Sequence, residues 1–475
     1  MEAIRSQVDR LVRAMGVLHG DLSPDAMQQL VLAAVFLRHV SDVPEDVAQG
    51  RPTWEDLVRQ VPGPDFAQSV LHRALHAWSG DYGQLRLDLD DEAVLGQLPF
   101  GSRRMQQALG DLIAVLDQAG RARTMADLYE QCLARFSEDR AGGEYYTPRD
   151  VVRTMVRLMA PASGDEVYDP ACGSAGLLTE AARYVEMHDG RPMDRTEPTL
   201  LLFGRDVNAR TRRIAAMNLI LHGLDEDLHR DLDSDDSLLY GSEPGEKYDI
   251  ALANPPFSMS RWQDRIDGQF VPWRYGPPPK SNADFAWVQH VLGSLKTGGR
   301  AAILLANGAA FRGGAERHIR AGLVHDDVLA AVIQLPPGLF PHTRIPACLW
   351  VFSKSKRAHA KNRVLFINAQ DVGVQVSRGR RALTDEDIAR IVRAFRGGSE
   401  HGEADEPGWC RTVTLDEIEA ADFDFLPARH VAPVAAEAEP GDDERRVREL
   451  TDELYGHFAE AARMERELRD VLGAL

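Results

Sequence analysis

The sequence predicts an α/β protein with a parallel sheet, set between an N-terminal helical domain and a C-terminal helical segment. Three observations predict it. Apolar residues recur at helical spacing through residues 1–140, short apolar strands then alternate with helices through residues 141–395, and residues 445–475 return to a three-and-four repeat.

In residues 1–140, Val8-Leu11-Val12-Met15 and Met27-Leu30-Val31-Ala34-Val35 each draw one apolar helix face. Gly142-Gly143 and Thr147-Pro148 then punctuate the chain. Beyond them, Glu166–Tyr168, Leu201–Asp206, Tyr248–Ala253, Arg300–Leu305, Val328–Ile333, Leu349–Phe352 and Val364–Ile367 read as strands. Residues 396–444 turn to Gly, Pro, Ala and acid, as in Gly397-Gly398-Ser399 and Glu439-Pro440-Gly441-Asp442, and are expected to be a linker or exposed connection. Residues 445–475 place Val447, Leu450, Leu454, Phe458, Ala461, Met464, Leu468, Val471 and Leu475 on one seam. That seam suits either partner contact or packing back on the chain's own core, and spacing does not choose between them.

Composition narrows the class of function. The chain has 475 residues, 44% hydrophobic and 27% charged, ordinary values for a globular protein. No apolar run approaches the roughly 20 residues of a membrane span, and no basic start with an apolar core and cleavage site opens the chain. A soluble, cytoplasmic protein without membrane contact is therefore expected. Asp plus Glu number 73 against 55 Lys plus Arg, a formal charge of −18 that repels polyanions as a whole. Action on nucleic acid would need a partner or a local patch. Cys132, Cys172, Cys348 and Cys410 lie far apart without metal-ligand spacing, so no metal site is expected.

Two segments carry chemistry. Val167-Tyr168-Asp169-Pro170-Ala171-Cys172-Gly173-Ser174-Ala175-Gly176-Leu177 leads from a strand through small residues into a helix. Small residues admit a ligand close to the backbone, the helix start offers free N–H groups, and Asp169 can meet a polar group, so a nucleotide-like cofactor fits. The spacing is not GxGxxG, and a tight ligand-free turn is the structural alternative. Asp206, ending the next strand, is the candidate for ribose hydroxyls, with a solvated cap as its alternative. Asp236, in an acidic run best read as a loop, is a candidate near the cofactor's base.

The second segment is Tyr248–Ala253 followed by Asn254-Pro255-Pro256-Phe257. Two prolines remove two N–H donors and stiffen the turn, so an amide side chain and a carbonyl converge. Such a pair accepts both hydrogens of a flat amino group, and Phe257 offers a ring for stacking. Methylation of an amino nitrogen suits this set, with a structural turn and a core Phe257 as the alternative. GxSxG, HExxH and P-loop patterns are absent from the sequence.

Gly143-Glu144-Tyr145-Tyr146-Thr147-Pro148-Arg149, Asp169-Pro170-Ala171-Cys172-Gly173-Ser174 and Asn254-Pro255-Pro256-Phe257 together resemble the modification subunits of type I restriction-modification systems, adenine-specific DNA methyltransferases. Ser281-Asn282-Ala283-Asp284-Phe285-Ala286, Phe311-Arg312-Gly313-Gly314-Ala315-Glu316 and Leu335-Pro336-Pro337-Gly338-Leu339-Phe340 continue the likeness, which is strong over about residues 140–370. The resemblance implies a Rossmann-like domain using S-adenosylmethionine. It implies Glu144, Tyr145, Tyr146, Thr147, Pro148, Arg149 and Ser174, Ala175, Gly176 at the cofactor, Asp206 on its ribose, and Asn254, Pro255 and Phe257 on a flipped adenine.

It also implies partners: a specificity subunit that recognises DNA, a second copy of this chain, a possible restriction subunit, and duplex DNA held by the complex. The sequence departs from the family at Ala175, where glycine is common, at Arg344 before Ile345-Pro346-Ala347, and at Asp206, where Glu is usual. Alternatives left open are an amino-group methyltransferase acting on RNA or protein, and a non-catalytic scaffold in a defence complex.

Overall fold

The computed structural model describes residues 2–16, 22–44, 48–61, 71–87, 89, 102–119, 123–138, 146–189, 200–228, 232, 234–238, 247–265, 273–340, 346–377, 379–398, 405–431 and scattered helical positions between 448 and 464. Residues 1–431 form one compact unit and 432–475 another.

The first unit opens with α1 (Glu2–Gly16), α2 (Pro24–Ser41), α3 (Trp54–Gln60) and α4 (His72–Ala77), then a hairpin of β1 (Gly80–Tyr82) and β2 (Leu85–Leu87). α5 (Arg103–Asp117) and α6 (Arg123–Glu138) complete the helical part. Start signals are explicit in the sequence. Ser23 caps α2, its hydroxyl accepting from Ala26 N at 3.1 Å with Pro24 in the first turn, and Thr53 with Asp56 forms a capping box on α3.

α7 (Arg149–Met159) leads into β3 (Glu166–Asp169), α8 (Gly176–Asp189), β4 (Leu201–Gly204), α9 (Ala209–Leu221) and β5 (Tyr248–Ala253). α10 (Asp284–Ser294), β6 (Leu295–Ala306), α11 (Ala315–His325), β7 (Leu329–Gln334), β8 (Ala347–Ser353) and β9 (Arg363–Asn368) follow. The chain continues with the hairpin β10 (Val374–Ser377) and β11 (Arg380–Ala382), α12 (Asp385–Arg396), β12 (Cys410–Thr414), α13 (Leu415–Ala420) and α14 (Pro427–His430). All seven strands expected from the sequence are present, with bounds shifted at their ends.

The main sheet has the order β12-β9-β7-β8-β6-β5-β3-β4. β4, β3, β5 and β6 are mutually parallel, β8 runs antiparallel between β6 and β7, and β12 closes the far edge antiparallel to β9. The buried runs of β6 and β8 are near-continuously apolar because helices cover both faces. The decisive feature is a reversal. From β3 the chain passes to β4 on one side, then returns to β5 on the other, which opens a crevice above the carboxyl ends of β3 and β5.

One apolar cluster runs from Leu11 and Leu30 through Tyr129, Val151 and Leu202 to Ile388 and Trp409, so the N-terminal helices share a core with the sheet domain. Tyr129 is fully buried and its hydroxyl donates to the Ile214 carbonyl at 2.9 Å, tying α6 to α9. Residues 396–444, expected as connection, include structured chain. β12 extends the sheet, and Trp409, Val413, Ile418 and Phe425 are buried, while Gly408 at φ +75° marks the turn just before them. Glycine and proline there punctuate short buried elements, which composition alone does not distinguish from a linker. Residues 432–447 lie outside the described residues.

In the second unit the described positions between 448 and 464 are helical, with Leu450, Leu454, Tyr455, Phe458 and Met464 about half exposed or more. Val447, Ala461, Leu468, Val471 and Leu475 lie outside the described residues.

Replacing Tyr129 by Phe keeps the packing and removes one buried hydrogen bond, so stability to denaturant should fall by about 1 kcal/mol. An unchanged unfolding midpoint would show that the α6–α9 tie contributes nothing.

Candidate active site

The crevice at the reversal is an open cleft of about 660 Å³ counted out to its mouth. Asp169, Ala171, Cys172, Gly173, Ser174, Gly176, Leu177 and Glu180 form one wall. The turn is pinned to the end of β4: Arg205 N donates to the Asp169 carbonyl at 3.0 Å and Cys172 N to the Arg205 carbonyl at 2.8 Å. Gly173 sits at φ +54° and Ala175 at φ +62°. Left-handed backbone at a residue with a Cβ costs about 1 kcal/mol, so the departure from glycine at Ala175 stores strain beside the cleft.

Asp206 does not line the cleft but bonds to the turn that does. Its Oδ2 accepts from Gly173 N at 3.3 Å and its Oδ1 from Asn208 N at 2.8 Å. Burial raises its pKa, although the N–H groups of Asn208 and Gly173 and the charge of Arg212 act against that. Asn218 reaches in from α9, its Nδ2 donating to the Ser174 carbonyl at 2.8 Å, while its buried Oδ1 has no partner among the described residues.

The opposite wall comes from Tyr146, Thr147 and Arg149 at the start of α7 and from Glu130 and Leu133 on α6. His222 Nε2 lies 3.2 Å from Glu130 Oε1, and Arg149 lies 3.7 Å from its other oxygen. Burial favours neutral Glu130, but the His222 hydrogen bond and charge, with Arg149 and Arg183, outweigh it and lower its pKa. Against its own burial, His222 is raised by Glu130. Glu180 is raised by burial.

Asn254, at the end of β5, lines the floor. Its Nδ2 donates to Thr147 Oγ1 at 2.8 Å, which fixes the amide plane and leaves Oδ1 without a hydrogen-bond partner among the described residues. Pro255 is buried, Pro256 half-buried, and the half-buried ring of Phe257 meets Phe340 edge-on at 5.7 Å.

Of the residues expected from sequence, the cleft gathers Tyr146, Thr147, Arg149, Asp169, Ala171, Gly173, Ser174, Gly176 and Asn254. Pro148, Ala175, Asp206, Pro255, Pro256 and Phe257 flank it without lining it. Asp236 also does not line it, and caps Leu238 N at 3.0 Å in a loop held to the turn by Ser237 Oγ on the Pro170 carbonyl. Glu144, Tyr145 and Arg344 lie outside the described residues. Glu130, Glu180 and Asn218 went unread, because helices bring them in. Among the described residues no cluster is placed to hold a metal ion, and no helix is long and apolar enough to cross a membrane.

Residues 121–439 match the family model described as N-6 DNA Methylase. This chain belongs to the N-6 DNA methylase family. It is 34% identical over 355 residues to the type I restriction enzyme HindI methylase subunit of Haemophilus influenzae, covering 74% of this chain and 78% of that one. It is 32% identical over 437 residues to the MjaIX methylase subunit of Methanocaldococcus jannaschii, covering 89% and 76%. The fold matches the solved type I restriction-modification methyltransferase subunit of Streptococcus thermophilus with a TM-score of 0.72, at 24% identity over 90% of this chain and 99% of that one. As an adenine-specific DNA methyltransferase of this family, the chain combines a small-residue turn and an Asn-Pro-Pro-Phe turn on the two sides of one crevice.

Asp169 is 1% exposed, and burial, together with the nearby Asp206 charge, pushes its pKa up to about 8 despite the Ala171 N–H that its carboxylate accepts. A raised folded value means this group's favourable contribution is complete below the unfolded pKa near 4 and is lost as pH rises toward 8. Asp169→Asn should therefore become progressively more stable relative to the parent between pH 4 and 8. Parallel stability curves for the two proteins would contradict the burial of an uncompensated carboxyl.

Proposed function

We propose that this N-6 DNA methylase is the modification subunit of a type I restriction-modification system, transferring methyl from S-adenosylmethionine to the exocyclic amino nitrogen of adenine in duplex DNA. The observation that carries this reading is the amide of Asn254 on the floor of the cleft, anchored on Thr147 with Oδ1 free of partners among the described residues.

The cleft's donor set fits the cofactor. Glu130, Asp169 and Glu180 line the cleft beside Arg149, and Glu130 is already paired with His222 and Arg149. Burial raises the pKa of Asp169 and Glu180, and a nucleoside that carries positive charge would favour their ionised forms where a phosphate would oppose them. The buried, unpartnered Asn218 Oδ1 adds an acceptor for a hydroxyl or amino group. Ser174 and Gly176 would border the cofactor, with Asp206 near its ribose. When bound, S-adenosylmethionine supplies an electrophilic methyl group on a positively charged sulfur.

The chain's residues prepare the acceptor. Asn254 Oδ1 accepts one hydrogen of the adenine amino group and the Pro255 carbonyl the other, drawing the nitrogen lone pair out of the ring and aiming it into the cleft. Phe257 stacks on the extruded base, offsetting part of the few kcal/mol needed to unstack it. The amino proton becomes strongly acidic once the nitrogen carries charge and leaves to solvent, so no strong base is required.

The formal charge of −18 explains why DNA would be held by an assembly rather than by this chain alone. A DNA-recognising specificity subunit, a second copy of this chain and, for cleavage, a restriction subunit are the partners this reading entails. The half-exposed apolar residues Leu450, Leu454 and Phe458 supply one surface for such contacts. The cytoplasm, where DNA resides in a cell without a nucleus, is the compartment it requires.

The test is methyl transfer from labelled S-adenosylmethionine by the chain combined with its specificity subunit, offered DNA, RNA and protein separately. Label should enter DNA adenine alone. Asn254→Ala should abolish transfer while leaving cofactor affinity within about twofold, and Thr147→Val should lower transfer about tenfold, the worth of one orienting hydrogen bond. Label in RNA or protein, or cofactor bound without transfer to anything, would overturn the reading.

A further inference from the structure

The turn that carries Phe257 is strained. Ser258 sits at φ +50° and Arg261 at φ +57°, left-handed positions that a residue with a side chain holds only when its surroundings impose them. Two contacts from the start of α10 impose them here. Asp284 Oδ1 accepts from Ser258 N at 3.1 Å, and Ala283 N donates to the Met259 carbonyl at 3.0 Å.

Asp284 is itself locked. It is 1% exposed, and its Oδ2 accepts from Asn282 Nδ2 at 2.9 Å and from Arg312 Nη1 at 3.3 Å. Arg312 also reaches Glu316 Oε1 at 3.3 Å, and Asn282 Nδ2 approaches that same oxygen at 3.4 Å. A buried carboxylate sharing a guanidinium and an amide has its rotamer fixed by charge-assisted bonds. The guanidinium passes over Gly308, where an added Cβ would stand 2.4 Å from Arg312 Nη2 and 2.8 Å from its Cζ. Gly308 therefore leaves the space through which Arg312 reaches Asp284. None of these bonds involves the β3–α8 turn or Thr147.

We propose that Asp284, fixed by Asn282 and Arg312, is a positioning residue for the target base: it sets the Phe257–Ser258 turn and so governs base capture, not cofactor binding. The inference rests on the adenine-methylation reading above. Removing the Asp284 carboxylate frees the Ser258 N–H, lets the strained turn relax and moves Phe257 off the stacking position. Removing Arg312, or displacing it with a methyl at Gly308, unlocks the same carboxylate from the far side.

The experiment uses the complex of this chain with its specificity subunit and duplex DNA carrying 2-aminopurine at the target adenine, a probe that brightens when unstacked and dims when stacked on an aromatic ring. Asp284→Ala, Asp284→Asn, Gly308→Ala and Asn254→Ala are compared for cofactor affinity, kcat and KM for DNA, and probe fluorescence. Asp284→Ala should lower kcat/KM about tenfold or more and change the probe signal, with cofactor affinity within about twofold. Asp284→Asn, which keeps an oxygen for Ser258 N–H, should recover part of the loss, and Gly308→Ala should reproduce the defect in milder form. Should Asp284→Ala fail to fold, the Asp284→Asn and Gly308→Ala pair carries the same comparison. A parallel loss of cofactor affinity, or unchanged probe and kinetics in folded variants, overturns the positioning role. If the parent transfers no methyl to DNA, or Asn254→Ala stays active, it is the functional reading that has failed.

Discussion

Everything at the site depends on one topological constraint: the strand order reverses beside β3. A parallel sheet that grew in one direction would carry its connecting loops side by side over every strand end. Because the chain leaves β3 for β4 and returns to β5 on the other flank, the loops above β3 and β5 part. The space between them is floored by strand ends and walled by the start of a helix. Asp169 and Asn254 occupy the two strand ends, so the residues that would hold the donor and the acceptor meet without either loop having to be long.

The segment at the start of α7 couples those two halves. Tyr146, Thr147 and Arg149 line the same cleft as Ser174 and Gly176, yet Thr147 also anchors the Asn254 amide. The electrostatics point the same way. Glu130 is held ionised by His222 and Arg149, whereas Asp169 has its pKa driven upward by burial and by Asp206, so the cleft offers a charge that can be drawn out by a cationic ligand. On the acceptor side the Asp284 network does for Phe257 what Thr147 does for Asn254: it fixes a short functional turn by hydrogen bonds from a neighbouring element.

Legibility in the sequence followed the range of the physics. Val167–Gly176 and Tyr248–Phe257 were readable because strand, turn and helix start are local patterns of apolar runs, small residues and proline. Asn254 and Asp169 could be singled out for the same reason. Thr147 was placed at the cofactor, but its bond to Asn254 spans 107 positions and has no local signature. Glu130, Glu180 and Asn218 lie within helices whose residue patterns look like ordinary solvated or capping polarity until packing turns them inward. Residues 405–431 look like connection because Gly, Pro, Ala and acid run through their neighbourhood, and only pairing with β9 shows that Cys410–Thr414 is an edge strand. Helices before about residue 140 give way to alternating strands and helices after it, and the two parts share one core.

The most direct test is single-molecule sequencing of DNA from cells that express this chain with the specificity subunit proposed as its partner, beside cells expressing the Asn254→Ala variant. The account predicts methylated adenine at one recurrent motif, present only with the partner and absent in the variant. Unmethylated DNA alongside a folded, cofactor-bound complex, or methylation that survives loss of the Asn254 amide, would contradict it.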